Sequence, residues 1–168
     1  YSRFLKNSKV LEVGCGSGNL TNYLHNQGID IEGCDVSTNA VINAQASSAN
    51  NKIIFRQCDV LKLKYFKKKY DVIIECSLLQ NMNSVERSKY INNLKNILTE
   101  NGMIISLNVN DNNEYKIGPP NPLSKEDYKK IFNILDWRII EFRETKYLTK
   151  IRDFNAWFVI ITKIKSNL

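Results

Sequence analysis

KVLEVGCGSGN, from Lys9 to Asn19, places a short apolar run directly ahead of three alternating glycines. Val10, Leu11 and Val13 suit a buried parallel strand. Gly14, Gly16 and Gly18 follow at once, and Leu20, Tyr23 and Leu24 then recur at helical spacing. The stretch reads as strand, glycine turn, helix. Glycine serves such a turn because the backbone must bend tightly and lie close to what it holds, with no Cβ in between. The helix that follows aims unpaired N–H groups over the same turn.

A dinucleotide fingerprint counted from Gly14 would set its third glycine at position 19, which is Asn19. The pattern instead runs E-x-G-x-G-x-G, from Glu12 to Gly18. An acid ahead of the glycines suits a ligand with a cationic ammonium end. It suits a pyrophosphate poorly, because like charges would meet. This form resembles motif I of the class I S-adenosylmethionine (SAM) dependent methyltransferases.

The chain has 168 residues, enough for one domain with a sizeable core, and a single domain over residues 1–168 is expected. Its first residue is Tyr1 rather than Met, which leaves room for a trimmed N-terminus. Hydrophobic content of 43% and charged content of 24% are those of an ordinary globular protein. No apolar run reaches the roughly 18 residues of a membrane span, and no signal peptide is visible. A cytoplasmic location with no membrane partner follows as the expectation.

The net charge of +7 raises the question of an acidic partner. The densest basic run is Lys62, Lys64, Lys67, Lys68 and Lys69, with Tyr65 and Phe66 inside it. It falls in a connection between two strands and reads as a solvated loop in preference to a nucleic-acid contact. Cys15, Cys34, Cys58 and Cys76 form no C-x-x-C pair, so no metal site is expected. Each falls at or just past the carboxyl end of a predicted strand, where small buried residues near a ligand are the simplest reading, and a disulfide framework is disfavoured.

Taken in order, the first helix runs from about Gly18 to Asn26 and stops before Gly28. His25, the only histidine, sits near that end and reads as a surface residue on the helix dipole. A second strand, about Asp30 to Cys34, leads to Asp35, which follows Gly14 by 21 positions. An acid there can accept hydrogen bonds from both ribose hydroxyls of a nucleoside, and Val36 could pack on the base. Ser37 or Thr38 caps the next helix, to about Ser48. Ile53 to Phe55 form the third strand and Tyr70 to Cys76 the fourth. A helix from Val85 to Leu98 ends at Asn101-Gly102, Met103 to Val109 make the fifth strand, and a long polar connection runs from Asn110 to Pro122. Ser124 with Asp127 opens another helix as a capping box. Trp137–Tyr147 and Ala156–Thr162 close the chain as a hairpin.

The resemblance adds roles to these positions. Asp59 resembles the third methyltransferase motif, whose side chain meets the adenine amino group while the next backbone N–H, here of Val60, meets a ring nitrogen. Asp71-Val72-Ile73-Ile74 resembles motif IV, with Ser77 to Met82 expected beside the reactive methyl. The implied cofactor-binding set is Glu12, Gly14, Cys15, Gly16, Gly18, Asp35, Val36, Asp59, Val60 and Glu75. The implied fold is α/β and Rossmann-like: a seven-stranded, mostly parallel sheet of order 3-2-1-4-5-7-6, its last strand antiparallel, with helices on both faces.

Two departures count against nucleic-acid methylation: no N-P-P-Y-like motif follows the fourth strand, and Cys76 lacks a preceding proline. Gly118 to Phe132 is similar to a segment of the thiopurine, thiol and halide methyltransferases, and the tellurite-resistance methyltransferases are also close. That family tends to carry an acid-then-basic pair after the fourth strand, where this chain has Glu75 and Cys76. The resemblance thus implies SAM as cofactor and methyl transfer to a small-molecule substrate, with a thiol or other soft nucleophile favoured. Such a nucleophile is already partly ionised, so no strong base is needed. Among Glu75, Gln80, Asn81 and Asn108 no catalytic residue stands out, and Tyr115 and Arg152 of the flanking loops read as surface residues in preference to a cover over the substrate. A small-molecule O- or N-methyltransferase, and a non-catalytic SAM-binding module needing a partner, remain the alternatives. A monomer or dimer is expected.

Overall fold

A computed structural model describes residues 2–48, 52–65, 68–113, 121–149 and 152–164. After a short helix α1 (Ser2–Leu5), strands and helices alternate: β1 (Lys9–Val13), α2 (Asn19–Asn26), β2 (Asp30–Asp35), α3 (Thr38–Ser47), β3 (Ile54–Gln57) and β4 (Tyr70–Cys76). Then come α4 (Ser84–Ile97), β5 (Leu98–Val109), α5 (Lys125–Ile131), β6 (Trp137–Tyr147) and β7 (Phe154–Lys163). The strands form one 7-stranded sheet in the order β3-β2-β1-β4-β5-β7-β6, as expected. The first five pair in parallel, and β7 runs antiparallel to both its neighbours.

Period-two alternation sorts the core onto the two faces. Leu11, Val13 and Ile73 pack with Tyr90, Ile91 and Leu94 of α4 and Tyr128 of α5. Val10, Val72 and Ile74 point the other way, to Leu5, Ile29 and the partly buried Leu20 and Leu24 of α2. Side-chain caps set the helix starts. Ser37 accepts from Ala40 N–H at 3.3 Å to start α3. Full capping boxes open α4 (Asn83 with Glu86) and α5 (Ser124 with Asp127).

The strand boundaries differ from the sequence reading most at three strands. β3 and β7 are each longer, and β5 begins at Leu98 rather than Met103. Leu98 pairs with Tyr70 while Met103 pairs with Val72, so the strand bulges through Asn101 and Gly102 before the ladder resumes. Gly102 ends no helix; it lets the bulge fold back, since a Cβ there would stand 2.8 Å from Leu98 Cδ2. The residues of the proline-bearing connection from Glu114 to Pro120, Tyr115 and Gly118 included, lie outside the described residues, as does Lys67 of the basic run. Lys62 of that run pairs with Asp59 and Lys68 with Glu32, so these two cations face carboxylates of the same fold. Among the described residues no helix is long and apolar enough to cross a membrane.

Candidate cofactor cleft

The carboxyl ends of β1, β2 and β4 converge where the sheet order reverses, the place where open α/β sheets hold their ligands. A cleft of about 370 Å³ opens there. Gly14, Asp35, Val36, Asp59 and Val60 line it, five of the positions picked out from the sequence. Leu78, Asn81 and Met82 form the opposite wall, from the segment anticipated beside the reactive methyl. Glu86, on the first turn of α4, was not anticipated; only its capping-box spacing marked it, and that signal speaks of a helix start.

The turn after β1 is built on left-handed backbone: Gly14, Gly16 and Gly18 have φ of 70°, 53° and 75°. A Cβ on Gly16 would meet nothing within 4 Å, so bare backbone faces open space. Gly18 also starts α2 with no side chain of its own to cap the helix, and the backbone N–H of Thr21 in the first turn is bonded to the Glu12 carboxylate. Asp35 holds the turn from the next strand. Its Oδ2 accepts from Gly16 N–H at 2.9 Å and its Oδ1 from Ser37 N–H at 2.9 Å. Each oxygen keeps acceptor capacity for a hydroxyl in the cleft. Val36 beside it is 64% exposed, an apolar surface of the kind a flat heteroaromatic ring covers. Asp59 Oδ1 accepts from Leu61 N–H at 2.9 Å, and that bond, with Lys62 nearby, holds its carboxyl below the usual range. These residues suit a nucleoside-bearing ligand.

Glu12, Cys15 and Glu75, named with the cofactor set from the sequence, stand behind the wall rather than on it. Glu12 points to the α2 side of the sheet, where Thr21 Oγ1 donates to its carboxylate and only 4% of the residue is exposed. Burial pushes its carboxyl up to about 7, against the pull of the Thr21 bonds. Cys15 donates its N–H to Cys34 O at 3.0 Å and packs its side chain with Val41, Ala44 and Phe55. Glu75 points to the opposite face and is fully buried; it receives Ser106 Oγ and the N–H groups of Leu78 and Leu79. Burial pushes its carboxyl up as well.

Of the four free cysteines only Cys58 lines this cleft. The Cys34 thiol bonds to it and draws the Cys58 thiol down, while Cys34 itself is pushed up. His25 sits in the last turn of α2. Arg152 stacks over Phe154, with 4.7 Å between guanidinium and ring centroid. Among the described residues no group of three His, Cys, Asp or Glu side chains could hold a metal ion.

A family model described as a methyltransferase domain matches residues 4–155. The chain belongs to that family. Ubiquinone biosynthesis O-methyltransferase of Rickettsia akari is 29% identical over 175 residues, covering 94% of this chain and 68% of that enzyme. The chain spans about a third to two thirds of the length of the curated relatives it matches, with 52%, 68% and 44% of three of them covered and 32% of a fourth. A SAM-dependent methyltransferase of Methanosarcina mazei superposes with a TM-score of 0.85 at 16% identity, covering 98% of this chain and 96% of that one. TehB of Haemophilus influenzae gives 0.75 at 19% identity, over 98% of this chain and 60% of that one. At such identities the likeness is one of fold, and it agrees with the class I methyltransferase sheet that the glycine motif led us to expect.

Proposed function

We propose that this methyltransferase domain transfers a methyl group from S-adenosylmethionine to a small-molecule acceptor, most readily a thiol or other soft nucleophile. The observation that carries the reading is the Asp35 carboxylate, tied to Gly16 N–H at the mouth of a cleft whose next wall residue, Val36, is an exposed apolar side chain. Asp35 then receives the ribose hydroxyls, Val36 covers one face of the adenine, and Asp59 with the Val60 N–H reads its edge. The bare backbone from Gly14 to Gly18 holds the amino-acid end. The sulfonium supplies an electrophilic methyl group, so the protein's part is to orient the reactants and keep water out. The only histidine lies in α2, away from the cleft wall, and Glu12 and Glu75 are enclosed. The carboxylates on the wall, Asp35, Asp59 and Glu86, each already accept backbone N–H bonds, which favours an acceptor that is already soft or anionic. Four free cysteines suit a reducing, cytoplasmic setting. The relationship to an O-methyltransferase of Rickettsia akari favours a second reading, an oxygen acceptor.

Incubation with SAM and a panel of hydrosulfide, small thiols, a thiopurine, iodide and catechol separates these readings through S-adenosylhomocysteine formation. Thiol-dependent product is the expected result. Product with catechol alone would replace sulfur by oxygen, and absence of SAM binding would overturn the function. Asp35→Ala is expected to weaken SAM binding by about 1–3 kcal/mol through lost charged hydrogen bonds, measured by titration calorimetry. An unchanged affinity would remove Asp35 from the ribose role.

A further inference from the structure

The buried polar groups around Glu75 and Gln80 form one connected unit. Gln80 is 3% exposed and belongs to the turn Leu79–Asn81, between wall residues Leu78 and Asn81. Its side chain Oε1 accepts from Val109 N–H at 2.7 Å, and its N–H donates to Asn108 Oδ1 at 3.3 Å. Its main-chain carbonyl accepts from Asn121 N–H at 3.0 Å, at the far end of the connection leaving β5. Leu123 N–H continues that link to Val109 O at 3.0 Å, and Trp157 Nε1 donates to Leu123 O at 2.9 Å. Below Gln80, Asn108 Nδ2 lies 2.5 Å from Glu75 Oε1 and 3.0 Å from Tyr128 Oη. Tyr128 and Ser106 hydroxyls are 2.7 Å apart, and Ser106 donates to Glu75. Glu75 Oε2 in turn receives Leu78 and Leu79 N–H at 3.1 and 3.3 Å.

Every link is directional, so the unit fixes register as well as distance. An apolar filling of the same space would pack these segments but let them slide. The cofactor-side wall is thereby held to Asn108 and Val109 of β5, and the segment that leads into α5 to Val109 and to Gln80 itself.

We propose that Gln80 is a positioning residue for methyl transfer: it locks the wall of residues 77–82 to the Asn121–Leu123 segment, and so sets the acceptor in line with the donor. The proposal rests on the methyltransferase reading above. Gln80 touches neither reactant; it acts through the segments it joins.

Gln80→Met keeps the volume and removes the acceptor for Val109 N–H. Expected are a folded protein, a SAM dissociation constant within about twofold of wild type by calorimetry, and a kcat lowered roughly ten- to a hundredfold at saturating donor and acceptor. Hydrogen exchange at the Val109 and Asn121 amides should accelerate at the same time. A folded variant with unchanged kcat, or one whose activity falls only in step with SAM affinity, overturns the proposal. Tyr128→Phe removes only a hydroxyl from the far end of the unit and is expected to lower kcat in the same direction with SAM affinity kept; an unchanged kcat there overturns the proposal if Gln80→Met fails to fold. Should the wild type turn over no acceptor, the functional reading fails by itself, and the lock is then decided by amide exchange: unaltered protection at Asn121 in the variants overturns it.

Discussion

Gly18→Ala is expected to destabilise the fold by about 2–5 kcal/mol. Two effects add. Gly18 holds φ at 75°, where a Cβ costs roughly 1–2 kcal/mol. The new methyl would also stand 2.8 Å from the Phe55 ring and 2.9 Å from Ala44 Cβ. Phe55 is 5% exposed and Ala44 fully buried, so neither can swing aside, and overpacking of this kind costs about 1–3 kcal/mol. Gly16→Ala is the matched control: it shares the left-handed φ of 53° but meets nothing within 4 Å. Urea unfolding of the pair should therefore show Gly18→Ala well below Gly16→Ala. Equal midpoints would mean that α3 and Phe55 yield easily, against the close packing seen here.

Glu12→Gln is expected to stabilise the protein at pH 8 by about 3 kcal/mol and to have little effect near pH 4.5. The folded carboxyl is raised from 4.5 to about 7, chiefly by burial. Between those values the native state binds a proton that the unfolded chain has released. The group's contribution to stability is thus fully present below 4.5 and is lost as pH rises to about 7, at about 1.4 kcal/mol per pH unit across that interval. The amide has no charge to desolvate and can still bond Thr21 Oγ1. Denaturant midpoints of wild type and variant should diverge across pH 5 to 7 and run parallel above. Parallel curves over the whole range would show that Glu12 ionises in the native state as easily as in water. Glu75, raised in the same direction, adds to the wild-type slope and is common to both proteins.

Strand and helix were legible wherever one face of an element is apolar. Val10 to Val13, Tyr70 to Cys76 and Trp137 to Tyr147 could be bounded closely because their alternation or continuity decides burial. The bulge in β5 could not: Asn101-Gly102 is a stop signal after a helix and an ordinary bulge within a strand, and only pairing with Tyr70 and Val72 selects between them. The cleft residues Asp35, Val36, Asp59 and Val60 were legible because they closely follow predicted strands, and parallel strands bring such ends to one edge. Glu12 and Glu75 were legible as acids at those ends, but not in their direction. Glu12 lies on the α2 face with Val10, and Glu75 on the α4–α5 face with Ile73; the donors that enclose them, Thr21, Ser106 and Asn108, are 9, 31 and 33 positions away.

By itself, then, the sequence determined the class of the protein: the glycine turn with its acid, the strand–helix alternation and the apolar periodicities are local and suffice for a class I methyltransferase sheet. The tertiary structure alone decided which acids face the cleft and how its far wall is held. Those facts depend on which side chains from distant strands meet behind the site. Hydrogen bonds such as Val109 N–H to Gln80 and Asn121 N–H to Gln80 O come into being only once β4, β5 and the returning connection have packed.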